Sequence, residues 1–196
     1  MTQTAEHYPG KTKRNIVLVG VAGVGKTTLG ELAAEKLGMS FVDVDMEFEE
    51  GEGADIGTLL GRYEDKEFDN RLTNCFAKHI SSDDHTIFAA PSRITHYREF
   101  WDAARLNGVS IHLRGKPMEV YMRQDMWVKG QKLTKEEKLR KQWKRDFHEY
   151  YEWRLRHCRK ADYTVRILGN KQADAETLCK KIAEIISLEK NGVPNP

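Results

Sequence analysis

The 196-residue sequence is poor in cysteine, in proline and in net charge, and it has no long apolar run. Its 32 basic and 30 acidic residues leave a net charge of +2 at pH 7, whereas dedicated nucleic-acid-binding proteins usually carry a marked basic excess. The longest apolar run near the N-terminus extends only from Ile16 to Val19, far short of the ~20 residues that span a membrane. The composition therefore argues against a nucleic-acid-binding protein and against a membrane protein.

The three cysteines, Cys75, Cys158 and Cys179, lie far apart in the sequence. An odd number of cysteines without paired spacing is typical of reduced thiols in a cytosolic protein. The first fourteen residues also lack the apolar segment of an export signal. We therefore expect a cytoplasmic protein with one domain over residues 15–190, between flexible tails at residues 1–14 and 191–196.

Short apolar runs alternate with helix-prone stretches along the chain. The pattern predicts five strands, at residues 15–19, 40–44, 86–90, 109–113 and 163–168. It predicts helices at about residues 26–37, 56–62, 65–80 and 95–106, from residue 117, within 134–158, and at 173–188. This alternation predicts an α/β fold, in which a five-stranded parallel sheet is flanked by helices on both faces.

The segment from Gly20 to Thr27 reads GVAGVGKT, which matches the phosphate-binding pattern G-x-x-x-x-G-K-[ST] at every position. It follows a predicted strand and opens a predicted helix, as the pattern requires. The loop points backbone N–H groups at phosphate oxygens, and the helix N-terminus adds partial positive charge. The motif predicts binding of ATP and Mg²⁺, with Lys26 on the outer phosphates and the Thr27 hydroxyl facing the metal. The ATP-binding residues predicted here are Gly20, Ala22, Gly23, Val24, Gly25, Lys26, Thr27 and Thr28.

Two carboxylates, Asp43 and Asp45, stand at the end of the second predicted strand. Side chains two residues apart on a strand point the same way, and ligands of such folds bind outside the carboxyl ends of the strands. One carboxylate is expected to bear on Mg²⁺ and the other on the hydroxyl that accepts a phosphoryl group. The alternative interpretation is a pair of solvated turn residues, with Asp45 capping a helix.

Residues 20–45 and 53–68 resemble the shikimate kinase family, and a weaker resemblance continues to about residue 188. That family phosphorylates the 3-hydroxyl of shikimate with MgATP. It has a P-loop kinase fold with a five-stranded parallel sheet and a mobile helical lid, which corresponds to about residues 123–145 here. The resemblance implies that Asp43 bears on Mg²⁺ and that Asp45 holds the accepting hydroxyl.

The chain departs from the family pattern at the acceptor side. Asp69 replaces an arginine that binds the shikimate carboxylate, and residues 89–93 replace three glycines. An acid reverses the charge of an anion site, which predicts poor shikimate turnover. Such a site favours a positively charged or zwitterionic acceptor, such as an amino alcohol or a hydroxy amino acid. Pro91 removes a backbone N–H, while Ser92 and Arg93 offer side-chain donors instead.

Two further arginines of the family have no direct match in this chain. Lys129 or Lys132 is a candidate for the catalytic cation of the lid, and Arg145 or Arg154 for a later substrate-binding arginine. Arg123, at the start of the lid, is a predicted ATP-binding residue. Residues 127–145 are rich in basic residues and include two tryptophans. We interpret this stretch either as a lid that closes over the phosphates or as a solvated, charged helix pair.

These features predict an ATP- and Mg²⁺-dependent kinase that phosphorylates a hydroxyl of a small metabolite and acts as a monomer or weak dimer. Two alternatives stay open: the acceptor is a hydroxy amino acid or amino alcohol instead of shikimate, or the chain is a non-catalytic nucleotide-binding regulator. A nucleoside or nucleotide kinase is disfavoured because paired lid arginines are not evident. The predicted catalytic residues are Lys26, Asp45, Lys129 and Lys132, the substrate-binding residues are Asp45, Asp69, Ser92, Arg93, Arg145 and Arg154, and the metal ligands are Thr27 and Asp43.

Overall fold

The computed structural model describes residues 15–82, 85–123, 127–128, 131–132, 134 and 141–190. Its central sheet contains β1 (Asn15–Val19), β2 (Ser40–Asp43), β3 (Thr86–Ala89), β4 (Gly108–Arg114) and β7 (Tyr163–Arg166). These strands are parallel and lie in the order β2-β3-β1-β4-β7. A separate antiparallel ribbon consists of β5 (Trp127–Val128) and β6 (Gln131–Lys132). The sheet confirms the predicted five-stranded parallel architecture.

Helices cover both faces of this sheet. They are α1 (Lys26–Leu37), α2 (Val44–Glu52), α3 (Ile56–Arg62), α4 (Asp65–Ser82), α5 (Arg98–Asn107), α6 (Pro117–Arg123), α7 (Lys141–Cys158) and α8 (Lys171–Lys190), with a 3₁₀ turn at Ser92–Ile94. None of the helices in the described ranges is long and apolar enough to cross a membrane. The predicted tails at residues 1–14 and 191–196, and most of the predicted lid, lie outside the described residues.

The central strand β1 is buried along its whole length, and its side chains alternate between two apolar cores. Ile16 and Leu18 belong to the core shared with α1 and α8, and Val17 and Val19 belong to the core shared with α4 and α5. Leu178, Ile182 and Ile185 of α8 are all buried in the first of these cores. The continuous apolar run of β1 thus reflects burial on both faces of the sheet.

The structure corrects the prediction at the end of the second strand. β2 ends at Asp43, and α2, which was not predicted, begins at the next residue. The Asp43 side chain accepts a hydrogen bond from the backbone N–H of Asp45 at 3.0 Å, which is the contact of a helix N-cap. Asp43 and Asp45 therefore do not share one face of a strand, and the cap is Asp43 and not Asp45.

A second difference concerns the chain after β3. A helix was predicted to begin at about residue 95, but α5 begins at Arg98 after the 3₁₀ turn Ser92–Ile94. Trp101 donates its indole N–H to the carbonyl of Thr95 at 2.7 Å, and the Thr95 hydroxyl donates to the carbonyl of Ser92 at 2.9 Å. These contacts stabilise a compact loop at the carboxyl end of β3, beside the loop that follows β1.

Candidate active site

The glycine-rich loop between β1 and α1 has a backbone that only glycine adopts readily. Gly20, Gly23 and Gly25 all have positive φ values. A Cβ atom on Gly20 would lie 2.8 Å from the backbone oxygen of Leu113 and 3.0 Å from Cγ1 of Val24. The loop is therefore packed tightly against the end of β4, with the N-terminus of α1 directly after it.

Lys26 lies beneath this loop and holds it together. Its Nζ donates to the carbonyl oxygens of Gly20 at 3.1 Å and Val21 at 3.4 Å. Burial lowers the pKa of Lys26, and the charges of Asp45 and Asp43 oppose this shift. The ammonium group is thus partly desolvated at the phosphate loop, where an electrostatic interaction with an anion is stronger than in water.

Thr27, Asp43 and Asp45 form a connected group across the ends of β1 and β2. The Thr27 hydroxyl donates to Oδ2 of Asp43 at 2.6 Å, while Oδ1 of Asp43 caps α2. Burial raises the pKa of Asp45 to about 6, against the opposing effect of Lys26. Asp43 is therefore held by hydrogen bonds beside a hydroxyl, whereas Asp45 is a desolvated carboxylate close to the charge of Lys26.

A cavity of about 480 Å³ opens beside the phosphate loop. Part of its lining comes from the loop and the first turn of α1, as predicted. The remaining lining residues are Arg123, Ile167, Gly169, Lys171 and Asp174. Arg123 was predicted to bind ATP, whereas the other four were missed. The signal for them was their position at or after the end of the fifth predicted strand, since the carboxyl ends of parallel strands meet at one edge of the sheet.

The segment between β7 and α8 is fixed by one buried carboxylate. Asp174 accepts hydrogen bonds from the backbone N–H groups of Leu168 and Gly169, both at 2.8 Å. Gly169 has a φ of +93°, and a Cβ there would lie 2.9 Å from both Nη2 of Arg123 and Oε2 of Glu119. The backbone thus passes close to the Arg123–Glu119 pair, whose nearest atoms are 3.7 Å apart.

On the acceptor side, Asp69 is a buried and fully partnered carboxylate. It is only 5% exposed, and it accepts hydrogen bonds from Nε of Arg93 and from the Tyr97 hydroxyl, the latter at 2.7 Å. The sequence suggested an acid that repels an anionic acceptor. The structure changes that expectation, because the positive charge of Arg93 lies directly against Asp69.

The structure brings Arg154, and not Arg145, into this region. Nη1 of Arg154 donates to the carbonyls of Ser92 at 2.7 Å and Arg93 at 3.1 Å. Its side chain lies against the Trp153 ring, and its charge contributes to the lowered pKa of Lys26. Arg145, in contrast, has a side chain that is 72% exposed and lies 3.7 Å from Asp146.

Arg154 is also a buried cation without a counter-charge. The residue is 9% exposed, and it makes no ion pair with any residue in the described part of the chain. Its Nε is buried without a hydrogen-bond partner among these residues. Buried charges are normally paired, so the position of Arg154 favours binding of an anionic group at this end of the site.

The remaining predicted residues divide into two groups. Ala22 and Thr28 are exposed at the phosphate loop, and Val24 is buried beneath it. Lys129 lies outside the described residues, and for Lys132 the structure describes the backbone in β6 but not the side chain. The proposed lid cation therefore stays a prediction from the sequence.

Comparisons with known proteins show which family this chain resembles. A family model described as shikimate kinase matches residues 22–187. The shikimate kinase of Marinomonas sp. (strain MWYL1) is 35% identical over 100 residues, which cover 50% of this chain and 55% of that protein. The shikimate kinase of Symbiobacterium thermophilum is 33% identical over 109 residues, which cover 56% of this chain and 62% of that protein. The chain thus spans little more than half the length of these curated relatives.

Solved structures show the same fold. A shikimate kinase from Bacteroides thetaiotaomicron superposes with a TM-score of 0.74 at 19% identity, covering 89% of this chain and 98% of that chain. A shikimate kinase from Acinetobacter baumannii in complex with shikimate has a TM-score of 0.73 at 23% identity, covering 90% of this chain and 94% of that chain.

Proposed function

The chain belongs to the shikimate kinase family, and from this we propose that it transfers the γ-phosphoryl group of ATP to a hydroxyl of a small metabolite. The main observation in support of this proposal is that three features lie at one edge of the sheet. These are the phosphate loop with Lys26, the Thr27–Asp43 pair, and the partly desolvated carboxylate of Asp45.

The residues at this edge fit ATP and Mg²⁺. The loop offers backbone N–H groups at the start of α1, and the adjoining cavity, which extends to Arg123 and Gly169, offers space for the rest of a nucleotide. The Thr27 hydroxyl and the Asp43 carboxylate are oxygen donors of the kind that Mg²⁺ prefers. A metal ion held by these two residues would neutralise part of the phosphate charge.

Asp45 supports the chemistry of the acceptor. With a pKa of about 6, its carboxylate is mainly ionised at pH 7 but basic enough to accept a hydrogen bond and a proton from a hydroxyl. The hydroxyl oxygen then bonds to the γ-phosphorus, while the bond from that phosphorus to the bridging oxygen of ADP breaks. Lys26 stabilises the charge that develops on the phosphoryl oxygens.

Arg154 supports an acceptor that carries a carboxylate or similar anion. A buried guanidinium without a counter-charge gains more from an anionic ligand than from a neutral or cationic one. Since Asp69 is neutralised by Arg93, the charge argument against shikimate weakens. Shikimate is the first compound to test, and a hydroxy amino acid is the second because it also carries a carboxylate. An amino alcohol has no anionic group for Arg154.

An ADP-release assay tests this proposal. Purified protein with MgATP is given shikimate, serine, threonine, homoserine or ethanolamine, and parallel samples contain EDTA. We expect release stimulated by at least one carboxylate compound, none by ethanolamine, and none without Mg²⁺. ATP binding without stimulation by any compound in this panel would contradict the proposal and favour the non-catalytic regulator.

Two matched variants test the acceptor side once an acceptor is found. Arg154→Gln is expected to raise the acceptor KM about tenfold or more, because a charge-assisted hydrogen bond is lost. The same substitution at the exposed Arg145 is expected to have little effect. The reverse result would assign the substrate-binding role to Arg145.

A further inference from the structure

Arg93 is held rigidly by contacts from three other side chains. Its Nε donates to the carboxylate of Asp69, and its Nη2 donates to Oδ1 of Asp65 at 2.6 Å. Its Cζ lies 5.1 Å from the centre of the Phe68 ring. The Tyr97 hydroxyl binds the other oxygen of Asp69 at 2.7 Å. The guanidinium group is thus oriented before any ligand binds.

The two ion pairs of Arg93 differ in how much they stabilise its position, because the two carboxylates differ in exposure. Asp69 has a side chain only 7% exposed, whereas that of Asp65 is 89% exposed. Water screens an exposed ion pair, which contributes little, while a buried charge needs its partner. Asp69 therefore fixes Arg93, and the contact with Asp65 can be exchanged for another anion at small cost.

Arg93 also lies at the end of the sheet where the acceptor is expected. It follows β3, which lies between β2 and β1, so its loop stands between Asp45 and the phosphate loop. Nη1 of Arg154 donates to the Arg93 carbonyl at 3.1 Å, so the Arg154 guanidinium lies against the backbone of the loop that carries Arg93. The Arg93 side chain remains 33% exposed, and its Nη1 has no hydrogen-bond partner among the described residues.

We propose that Arg93, oriented by Asp69, binds the anionic group of the acceptor together with Arg154 and thereby selects acceptors by charge. This inference rests on the proposed kinase function. Arg93 would contact the acceptor through its free Nη1 and through the Nη2 that now binds the exposed Asp65. Asp69 is a positioning residue that does not touch the acceptor. Two guanidinium groups from different elements suit the planar geometry of a carboxylate.

The ionisation states of the group agree with these roles. Burial lowers the pKa of Arg93, but the hydrogen bonds that Arg93 donates to Asp69 and Asp65 outweigh this effect and leave the pKa raised. The hydrogen bond to Asp69 raises the pKa of Tyr97 to about 12. Arg93 therefore stays charged and Tyr97 stays a hydrogen-bond donor over the whole range in which kinases are assayed.

A pair of probes that share one ring but differ in charge tests the proposal. Shikimate and its methyl ester share the ring and the hydroxyls, but the ester has no negative charge. The readout is the ratio of kcat/KM for shikimate to kcat/KM for the ester, measured with saturating MgATP. The proteins are the wild type, Arg93→Gln, Arg93→Lys, Asp69→Asn and the control Arg98→Gln. The control removes an exposed arginine from an ion pair with Asp102.

We expect the wild type to prefer shikimate by at least about tenfold, and Arg93→Gln to lower this preference about tenfold with the KM for ATP unchanged. Arg93→Lys keeps the charge and is expected to retain part of the preference. Asp69→Asn is expected to lower it less than Arg93→Gln, and the control not at all. A purely structural role for the Asp69–Arg93 pair would lower stability without changing the ratio, and thermal unfolding measured in parallel separates the two effects.

The outcomes distinguish this inference from the function on which it rests. Equal preference in the wild type and in a folded Arg93→Gln variant would overturn the inference and leave the kinase assignment intact. Equal use of both probes by the wild type would do the same. If the wild type binds ATP but phosphorylates neither probe nor any other carboxylate in the panel, the proposed acceptor class fails, and this inference fails with it.

Discussion

Asp45→Asn is expected to abolish turnover and, at the same time, to make the ligand-free protein more stable at neutral pH. The carboxylate lies in a desolvated position, and burial raises its pKa from the ordinary value of 3.8 to about 6. Ionising Asp45 is therefore less favourable in the folded protein than in the unfolded chain, and this difference lowers the free energy of unfolding. Asparagine has nearly the same shape but never carries this charge.

The size of the effect follows from the pKa values. Each pKa unit corresponds to about 1.36 kcal/mol, so the move from 3.8 to about 6 amounts to about 3 kcal/mol. Between these values the folded state binds more protons than the unfolded state, so stability falls as pH rises through this window. Above pH 6 the cost is complete, and below about pH 4 it disappears.

The assay is urea denaturation of wild type and variant without nucleotide, at pH 7.5 and at pH 4. We expect Asp45→Asn to be more stable by about 3 kcal/mol at pH 7.5 and nearly equal to wild type at pH 4. The exposed Asp102→Asn variant serves as the control and is expected to change stability by less than about 1 kcal/mol at either pH. A variant that is no more stable than wild type at pH 7.5 would refute the reasoning that Asp45 is held desolvated for its function.

Three further substitutions test the phosphate and metal sites, and a fourth, Gly51→Ala, is the control for the glycine substitution. Lys26→Ala is expected to abolish ADP release while circular dichroism still reports a folded protein, and normal turnover would contradict the motif assignment. Asp43→Asn is expected to raise the Mg²⁺ concentration needed for half-maximal turnover, because the amide keeps the cap but loses the charge; an unchanged Mg²⁺ dependence would argue against metal binding there. Gly20→Ala is expected to destabilise the fold by about 1–3 kcal/mol, since its Cβ meets a backbone oxygen at 2.8 Å. Gly51→Ala, with open space around the Cβ, is expected to stabilise α2 by about 0.5–1 kcal/mol.

The parts of the site that lie within one continuous stretch of sequence were predictable. The strand, the glycine-rich loop and the helix over residues 15–37 form a single local pattern, and β1 and α1 have the predicted bounds. The residue types in this stretch indicate the structure directly. The glycines allow the backbone conformation of the loop, and the apolar residues form the buried faces of β1 and α1. The parallel sheet follows from the same alternation over the rest of the chain.

The short helix α2 was not predicted because its sequence has little helical periodicity of apolar residues. It is strongly acidic, and only Val44 and Phe48, four residues apart, are buried. The preceding Asp43 was read as a strand residue, although aspartate before such a pair is also an N-cap signal. The consequence was a wrong geometry for Asp45, which lies in the first turn of a helix and not at the end of a strand.

The partner of Asp69 could not be predicted from local pattern at all. Arg93 is 24 residues further along the chain, on a loop whose path depends on the 3₁₀ turn after β3. A substitution that reverses a charge in the sequence looks like the loss of an anion site. In three dimensions an arginine from another element lies directly against Asp69.

A single carboxylate, that of Asp43, connects the proposed metal site to the proposed acceptor site. Its Oδ2 accepts from the Thr27 hydroxyl of α1 at 2.6 Å, and its Oδ1 accepts from the backbone of Asp45 in α2 at 3.0 Å. The separation between the proposed Mg²⁺ ligands and the proposed base is therefore set by one side chain. Because a small change in the position of reacting groups costs much of the rate, Asp43→Ala should lower kcat more than the loss of a metal ligand alone. Excess Mg²⁺ would restore turnover fully only if the cap of α2 had no part in placing Asp45.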